Sequence, residues 1–349
     1  MKKLSEFEEQ IHSCSKCGLC QSVCPIYKIT GNDCTVSRGQ FIMLRGVIKN
    51  ELKMSKTINR YLDLCLKCSA CTNFCPSGID VVDIVAAAKA EYFKTSKKEK
   101  LISWVLDKFV FELGVKIIKF FQKRVKTKKF DKKVIYFGGC GGVKPSVVKI
   151  LNSLNIEVIM PDFECCGMPF YVKGDFETFE KYMQKFFDRL SENDCLEVVT
   201  SCASCEKVLK SYKKWSENKE FVVKNVYEYI RENNLKISLK KPQQVTFHKP
   251  CNLQNYDDIR WILENTDNLE YIEMKDFDKC CGLNGVTKLS EYKILSELFK
   301  EKRENIIKSG AKTVLTACAG CEAVINLFGF GKYKVYDLAD FLGKGIKDE

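Results

Sequence analysis

The sequence predicts an α+β multidomain chain: a helical domain bearing two cysteine runs, followed by two tandem α/β domains with parallel-sheet cores. Three observations predict it. The run "CSKCGLCQSVCP" recurs as "CLKCSACTNFCP", with every cysteine displaced by 51 residues. Further on, a single cysteine, then Cys-Cys-Gly, then C-x2-C occurs twice, with corresponding cysteines displaced by 111 to 116 residues. Around that second repeat, short apolar runs alternate with helix-period stretches, the pattern of strands and helices building a parallel sheet.

The chain has 349 residues, enough for two or three domains that each bury a core. Its 45% hydrophobic and 29% charged composition is that of an ordinary soluble protein. Its 20 cysteines are not ordinary. The opening "MKKLSEFEEQIHSC" has no apolar run for a signal peptide, so the cysteines point to a reducing compartment, the cytoplasm, with thiolates holding metal. The only histidines are His12 and His248, which excludes a three-histidine zinc centre by arithmetic. Neither sits near a nucleophile elbow, so a Ser-His-Asp triad is not expected.

In the first domain, taken as residues 1–95, Cys14, Cys17, Cys20 and Cys24 stand at C-x2-C-x2-C-x3-C-P. Cys65, Cys68, Cys71 and Cys75 repeat that spacing. This is the bacterial ferredoxin run, in which three thiolates of one loop bind one [4Fe-4S] cubane and the fourth reaches the other. The rule assigns Cys14, Cys17, Cys20 and Cys75 to one cubane, and Cys65, Cys68, Cys71 and Cys24 to the second. Pro25 and Pro76 turn the chain away after each fourth cysteine. A zinc ribbon wants two separated pairs, not four cysteines in eleven residues followed by proline. The spacer between the runs reads as helical, and Cys34 as a packed or loop thiol.

The second repeat defines two α/β domains, residues 132–240 and 241–349. One copy carries Cys140, Cys165, Cys166, Cys202 and Cys205; the other carries Cys251, Cys280, Cys281, Cys318 and Cys321. The gaps from Cys-Cys-Gly to C-x2-C are 35 and 36 residues, which marks two copies of one domain. "KVIYFGG", "IEVIMP" and "LEVVTSC" read as strands ending just before cysteines, with "QQVTFHKPC", "LEYIEMKD" and "KTVLTAC" as their counterparts. Open α/β sheets bind ligands at such strand ends. Adjacent Cα atoms lie about 3.8 Å apart, too close for an ordinary disulfide. Cys165 and Cys166 are therefore read as ligands aimed at different irons, with Gly167 and Gly282 permitting the turn. Zinc on four of the five thiols is the lesser alternative. The loop "FGGCGGVKP" lacks G-x-G-x-x-G, so its glycines are read as backbone brought close to a cluster. His248 is either a donor to the cluster thiolates or a packed strand-end residue, and Cys195 a core thiol.

Two ferredoxin runs followed by two such CCG domains resemble the glycolate oxidase iron–sulfur subunit and the fused, D-type heterodisulfide reductase subunit. The resemblance covers nearly the whole chain. It implies that each five-cysteine CCG set holds a noncubane [4Fe-4S] cluster of the kind that splits a disulfide in one-electron steps. "CPSGID", "SRGQ" and "HKPCNLQ" are more similar to the glycolate-oxidase branch, whose members often lose a cysteine that this chain keeps at Cys318 and Cys321. The expected role is an electron-transfer subunit. Its implied partner is an FAD-linked 2-hydroxy-acid dehydrogenase of the glycolate or lactate type. Catalytic disulfide reduction is the alternative. The chain has no flavin or nicotinamide motif of its own, so it needs a redox partner.

Residues 96–131 read as a basic linker helix. Residues 94–133 hold 14 Lys and Arg against four acids, +10 of the chain's +12. Charge gathered in one segment is not the spread of a nucleic-acid binder. The apolar run within 101–130 is broken by Asp107, Lys108, Glu112, Lys116 and Lys119, so it is no plain transmembrane span. The expectation is a helix that packs on its own domains, or docks on a partner, with its lysines in water. Contact with an anionic membrane surface is the second reading.

Overall fold

The computed structural model describes residues 1–114, 125–215, 220–283 and 292–346. They fall into two compact units. The first comprises Met1–Val105, Pro169–Phe179 and Lys279–Glu301; the second comprises Leu106–Met168, Glu180–Asp278 and Lys302–Glu349.

The first unit is helical from its N-terminus: α1 Glu8–His12, α2 Leu19–Val23, α3 Pro25–Thr30, α4 Ser37–Ile48, α5 Lys56–Leu64, α6 Ala70–Asn73, α7 Val81–Thr95 and α8 Lys97–Val105. Local chemistry starts these helices. Ser55 caps α5 by accepting from the Ile58 N–H, and Asp80 caps α7 by accepting from that of Asp83. Pro25 opens α3 at the position where its missing N–H costs nothing. Leu4, Phe7, Ile11, Phe41, Leu44, Ile58, Leu62, Ile84 and Val85 form the core beneath the cysteine loops. One ion pair is buried there: Lys89 of α7 meets Asp63 of α5 at 2.6 Å, and Asn59 donates to the same carboxylate at 2.8 Å. Later segments join this unit through polar contacts. Tyr171 donates to Asp83 and Ser103 to Asp175, both at 2.6 Å.

The second unit holds both parallel sheets. The strands are β1 Lys132–Tyr136, β2 Ile156–Ile159, β3 Glu197–Thr200, β4 Val222–Asn225, β5 Ser238–His248, β6 Asp267–Tyr271, β7 Thr313–Thr316 and β8 Lys334–Asp337. Their orders are β2-β1-β3-β4 and β6-β5-β7-β8, the same topology twice. Every pairing is parallel, from Lys132 against Ile156 in the first sheet to Thr313 against Lys334 in the second. In the internal strands β1 and β5 the C-terminal ends, from Val134 and Val245 on, are buried, whereas their lysines nearer the N-terminus are exposed. Val134, Tyr136 and Val199 of one sheet share a single core with Val245, Phe247 and Leu315 of the other.

The basic segment is helical over Lys97–Val105 and continues as a π-helix over Leu106–Leu113. Residues 115–124 lie outside the described residues, and 125–130 carry no regular structure, so the helix read over 96–131 is shorter at its C-terminal end. Among the described residues, no helix is long and apolar enough to cross a membrane.

Candidate metal centres

In the first unit, the two cysteine loops take matching left-handed backbone conformations. Lys16 and Gly18 have φ of 59° and 86°, and Lys67 and Ser69, 51 residues on, have 53° and 61°. Non-glycine residues rarely adopt this region, at a cost of about 1–2 kcal/mol each. Three of the four are not glycine, so the loop geometry is imposed by its surroundings, as at sites where thiols must converge.

Two cavities open between these loops. Cys14, Cys17, Cys20 and Cys75 line one, with Gly18, Arg38 and Phe41 among their neighbours. Cys24, Cys65, Cys68 and Cys71 line the other, with Pro25, Val36 and Lys67. Each cavity thus draws three thiols from one run and one from the other, and Cys71 also borders the first. The two are not equally exposed. Cys17 is exposed, whereas burial pushes the Cys65 and Cys71 thiols up and Cys24 to about 12. The N–H of Tyr27 donates to the Cys24 sulfur at 3.5 Å and offsets part of that cost. Buried thiols of this kind stay protonated until a metal supplies the compensating charge.

The first CCG set is assembled entirely in the second unit, at the C-terminal ends of three neighbouring strands. Cys140 follows β1 in a tight turn, Cys165 and Cys166 follow β2, and Cys202 follows β3 as the N-cap of the helix Ala203–Ser211, whose first turn carries Cys205. Cys165 and Cys205 donate to the Cys166 sulfur, which holds Cys166 well below the usual thiol range and pushes its two donors up. Gly167, at φ 73°, turns its N–H onto the Cys165 sulfur at 3.4 Å. Gly282, at φ 82°, does the same to Cys280 at 3.4 Å. The glycine after each cysteine pair therefore donates to the first of the pair, and a side chain there would strain the turn. The Tyr212 hydroxyl donates to the Cys166 carbonyl at 2.9 Å. At Gly139, φ 59°, an added Cβ would stand 3.0 Å from the Cys205 sulfur. The backbone approaches that thiol as closely as a glycine allows.

In the second copy, Cys251 follows β5, and Cys318 caps the helix Ala319–Leu327, whose first turn carries Cys321. Cys280 and Cys281 are buried in the Lys279–Glu301 segment of the first unit, beside residues 284–291, which lie outside the described residues. His248 is fully buried at the end of β5, its imidazole within 4.8 Å of the Cys321 thiol. It is thus both a packed strand-end residue and a neighbour of that thiol. Cys34 lies off the cavities in a short turn, and Cys195 donates to the Lys133 carbonyl at 3.3 Å.

One relation is invisible in the repeat pattern. The two C-x2-C helices meet at their N-termini: the Ala203 N–H donates to the Ala317 carbonyl at 2.9 Å, and Cys202 hydrogen-bonds Cys318. Ser204 lies 3.4 Å from the Cys318 sulfur, and Asn252, next to Cys251, donates to Ser204 at 3.1 Å. Hydrogen bonds from Cys202 and then Cys321 hold the Cys318 thiol low.

Comparison with known families identifies the domains that carry these cysteines. A 4Fe-4S dicluster domain matches residues 10–79, and a cysteine-rich domain matches 134–210 and again 245–326. The chain belongs to the iron–sulfur proteins that join a dicluster domain to paired cysteine-rich domains. A probable glycolate oxidase iron–sulfur subunit of Bacillus subtilis is 24% identical, over 98% of this chain and 97% of its own. The D-type subunit of the dihydromethanophenazine:CoB–CoM heterodisulfide reductase of Methanosarcina acetivorans is 22% identical, over 90% of this chain and 88% of its own. A hypothetical protein of Helicobacter pylori shares the fold at a TM-score of 0.52 and 11% identity, covering 89% of this chain and 68% of its own. This iron–sulfur protein is a subunit of a redox enzyme complex, as its relatives are. Its donor sets fit such clusters: they are thiols throughout, with one imidazole nearby, and the backbone comes close through glycine.

Proposed function

We propose that this chain is the electron-transfer subunit of an oxidoreductase complex. Cys14, Cys17, Cys20 and Cys75 hold one [4Fe-4S] cubane, and Cys24, Cys65, Cys68 and Cys71 a second. Cys140, Cys165, Cys166, Cys202 and Cys205 hold a noncubane [4Fe-4S] cluster, and Cys251, Cys280, Cys281, Cys318 and Cys321 another. Bound clusters supply one-electron storage and transfer. The chain's own residues do the rest. Glycines bring backbone donors to the sulfurs, Pro25 and Pro76 shape the loops, and burial excludes water from Cys165 and Cys166. The partner is an FAD-linked dehydrogenase of the glycolate or lactate type, which removes two electrons from its substrate and delivers them singly.

The observation that carries this reading is the inventory of thiols. Eighteen of the 20 cysteines fall into four sets, with no motif for a hydride carrier in the chain. Iron and sulfide analysis tests it directly. Four clusters predict about 16 irons per chain, and two cubanes with zinc in the CCG sites about eight.

A second reading has its own support in the contact of Cys202 with Cys318. Two thiolate sites that meet edge to edge suit a disulfide, whose two sulfurs each need one electron. Under that reading the purified chain, given a reduced dye, turns over a disulfide, and Cys165→Ser or Cys281→Ser abolishes turnover. Clean cluster reduction without disulfide turnover favours the relay.

A further inference from the structure

The basic segment packs inside out. In α8 of the first unit, Ser103 is only 1% exposed and donates its hydroxyl to Asp175 at 2.6 Å. The apolar residues around it face water: Leu101 is 61% exposed, Trp104 52%, Val105 40% and Ile102 38%. Lys97, Lys98 and Lys100 on the preceding turn are exposed as well. The π-helical stretch that opens the second unit follows the same rule. Asp107 is buried and accepts from Tyr182 at 2.7 Å and from Lys181 at 2.9 Å, while Phe109 and Leu113 are exposed. Glu112 is taken up by Lys181 at 2.8 Å and Lys108 at 3.0 Å.

An ordinary surface helix buries its apolar stripe and solvates its charges. Here the polar residues are spent on internal hydrogen bonds, and the large apolar side chains are left outside. The lysines stand in water as expected, but Leu101, Ile102, Trp104, Val105, Phe109 and Leu113 are exposed and not buried in their own domain. The inversion also sorts charge. In the second unit, Asp107 and Glu112 turn onto Lys181, and in α8 three lysines, Lys97, Lys98 and Lys100, stand exposed beside one acid, Glu99. An exposed apolar face with a tryptophan, preceded by exposed lysines that outnumber the single Glu99 of the same turn, complements one surface in particular: an anionic bilayer.

We propose that α8 seats the protein on an anionic membrane surface, with Leu101, Ile102, Trp104 and Val105 entering the headgroup boundary and the flanking lysines meeting lipid phosphates. The helix lies on the membrane and does not span it. The inference stands apart from the cluster assignment, because it uses no cysteine and its readout is independent of iron content.

The test is co-sedimentation of the cluster-loaded full chain with phosphatidylglycerol-containing vesicles, against pure phosphatidylcholine. Binding to the anionic vesicles is expected to be at least tenfold tighter and to weaken steadily with added salt. The L101E/W104E double variant should lose that binding at least tenfold while keeping its iron and its visible spectrum. In a chain carrying Trp215→Phe and Trp261→Phe, so that Trp104 alone emits, anionic vesicles should shift the emission to the blue. Absence of co-sedimentation at low salt, unchanged binding by the double variant, or unshifted Trp104 emission overturns the proposal. In the first case a protein partner is the occupant of this face.

Discussion

Gly139→Ala isolates the role of backbone approach in the first CCG site. Two costs follow from the structure. At φ 59° an alanine is left-handed, which costs about 1–2 kcal/mol. Its Cβ would also stand 3.0 Å from the Cys205 sulfur and 3.3 Å from the Phe137 ring, so both must give by a few tenths of an ångström. Cys205 sits in the first turn of a helix and donates to Cys166, so its thiol cannot shift without loosening that trio. A loss of about 2 kcal/mol lowers the unfolding midpoint of a unit this size by roughly 4–8 °C. If Cys205 is a ligand, about four irons per chain are lost as well. Gly141→Ala is the matched control: it lies two residues away, in the same turn, with nothing within 4 Å of the added Cβ. It should change neither the midpoint nor the iron. The assay is paired thermal unfolding and iron analysis of both variants. Equal behaviour of the two, or full iron and an unmoved midpoint for Gly139→Ala, would refute the close-approach reasoning.

Three further outcomes are expected. Cys75→Ser should remove the paramagnetic signal of one cubane only, that of Cys14, Cys17 and Cys20; loss of the other cubane would show that the runs do not cross. Asp337 is 1% exposed, accepts at 2.6 Å from Lys144 and caps the last helix by accepting from Ala339 and Asp340. Asp337→Ala should therefore cost about 3 kcal/mol in urea unfolding, the low end for a buried pair because Asp340 also reaches Lys144 at 3.5 Å. A loss under about 1 kcal/mol would mean that the pair contributes little. Tyr212→Phe leaves the Cys166 carbonyl without its donor and should cost about 1 kcal/mol, with a changed spectrum for the first CCG site if the turn shifts.

Much of this molecule is legible in its sequence because cysteine spacing is rigid information. The 51-residue offset places Lys16 opposite Lys67 and Gly18 opposite Ser69, and those four positions share the left-handed backbone that curls each loop. Strand ends before Cys140, Cys166 and Cys202 follow from apolar runs that stop at glycine, proline or serine. The meeting of Cys202 with Cys318 is not legible, because a repeat announces two copies without stating which faces pack. The inverted segment is hidden for a related reason. Asp107 reads as an interruption of an apolar helix until Lys181, more than 70 residues away in the sequence, donates to it, and nothing in the sequence joins Ser103 to Asp175. Helical periodicity gives the stripes of a helix, and only tertiary partners decide which stripe is inside.

The exchange of one cysteine between the two ferredoxin loops also governs how the N-terminal module can be born. Cys24 emerges early yet belongs to the cavity whose other three thiols lie 41 to 47 residues later, and Cys75 completes the cavity begun at Cys14. Neither cradle exists in a growing chain that stops short of the second loop, and once that loop folds back both close together. Such interlocking acts as a proofreading step. A module that lacks the second loop offers only an open three-thiol loop, so truncation there costs both sites at once, whereas loss of a single thiol costs one.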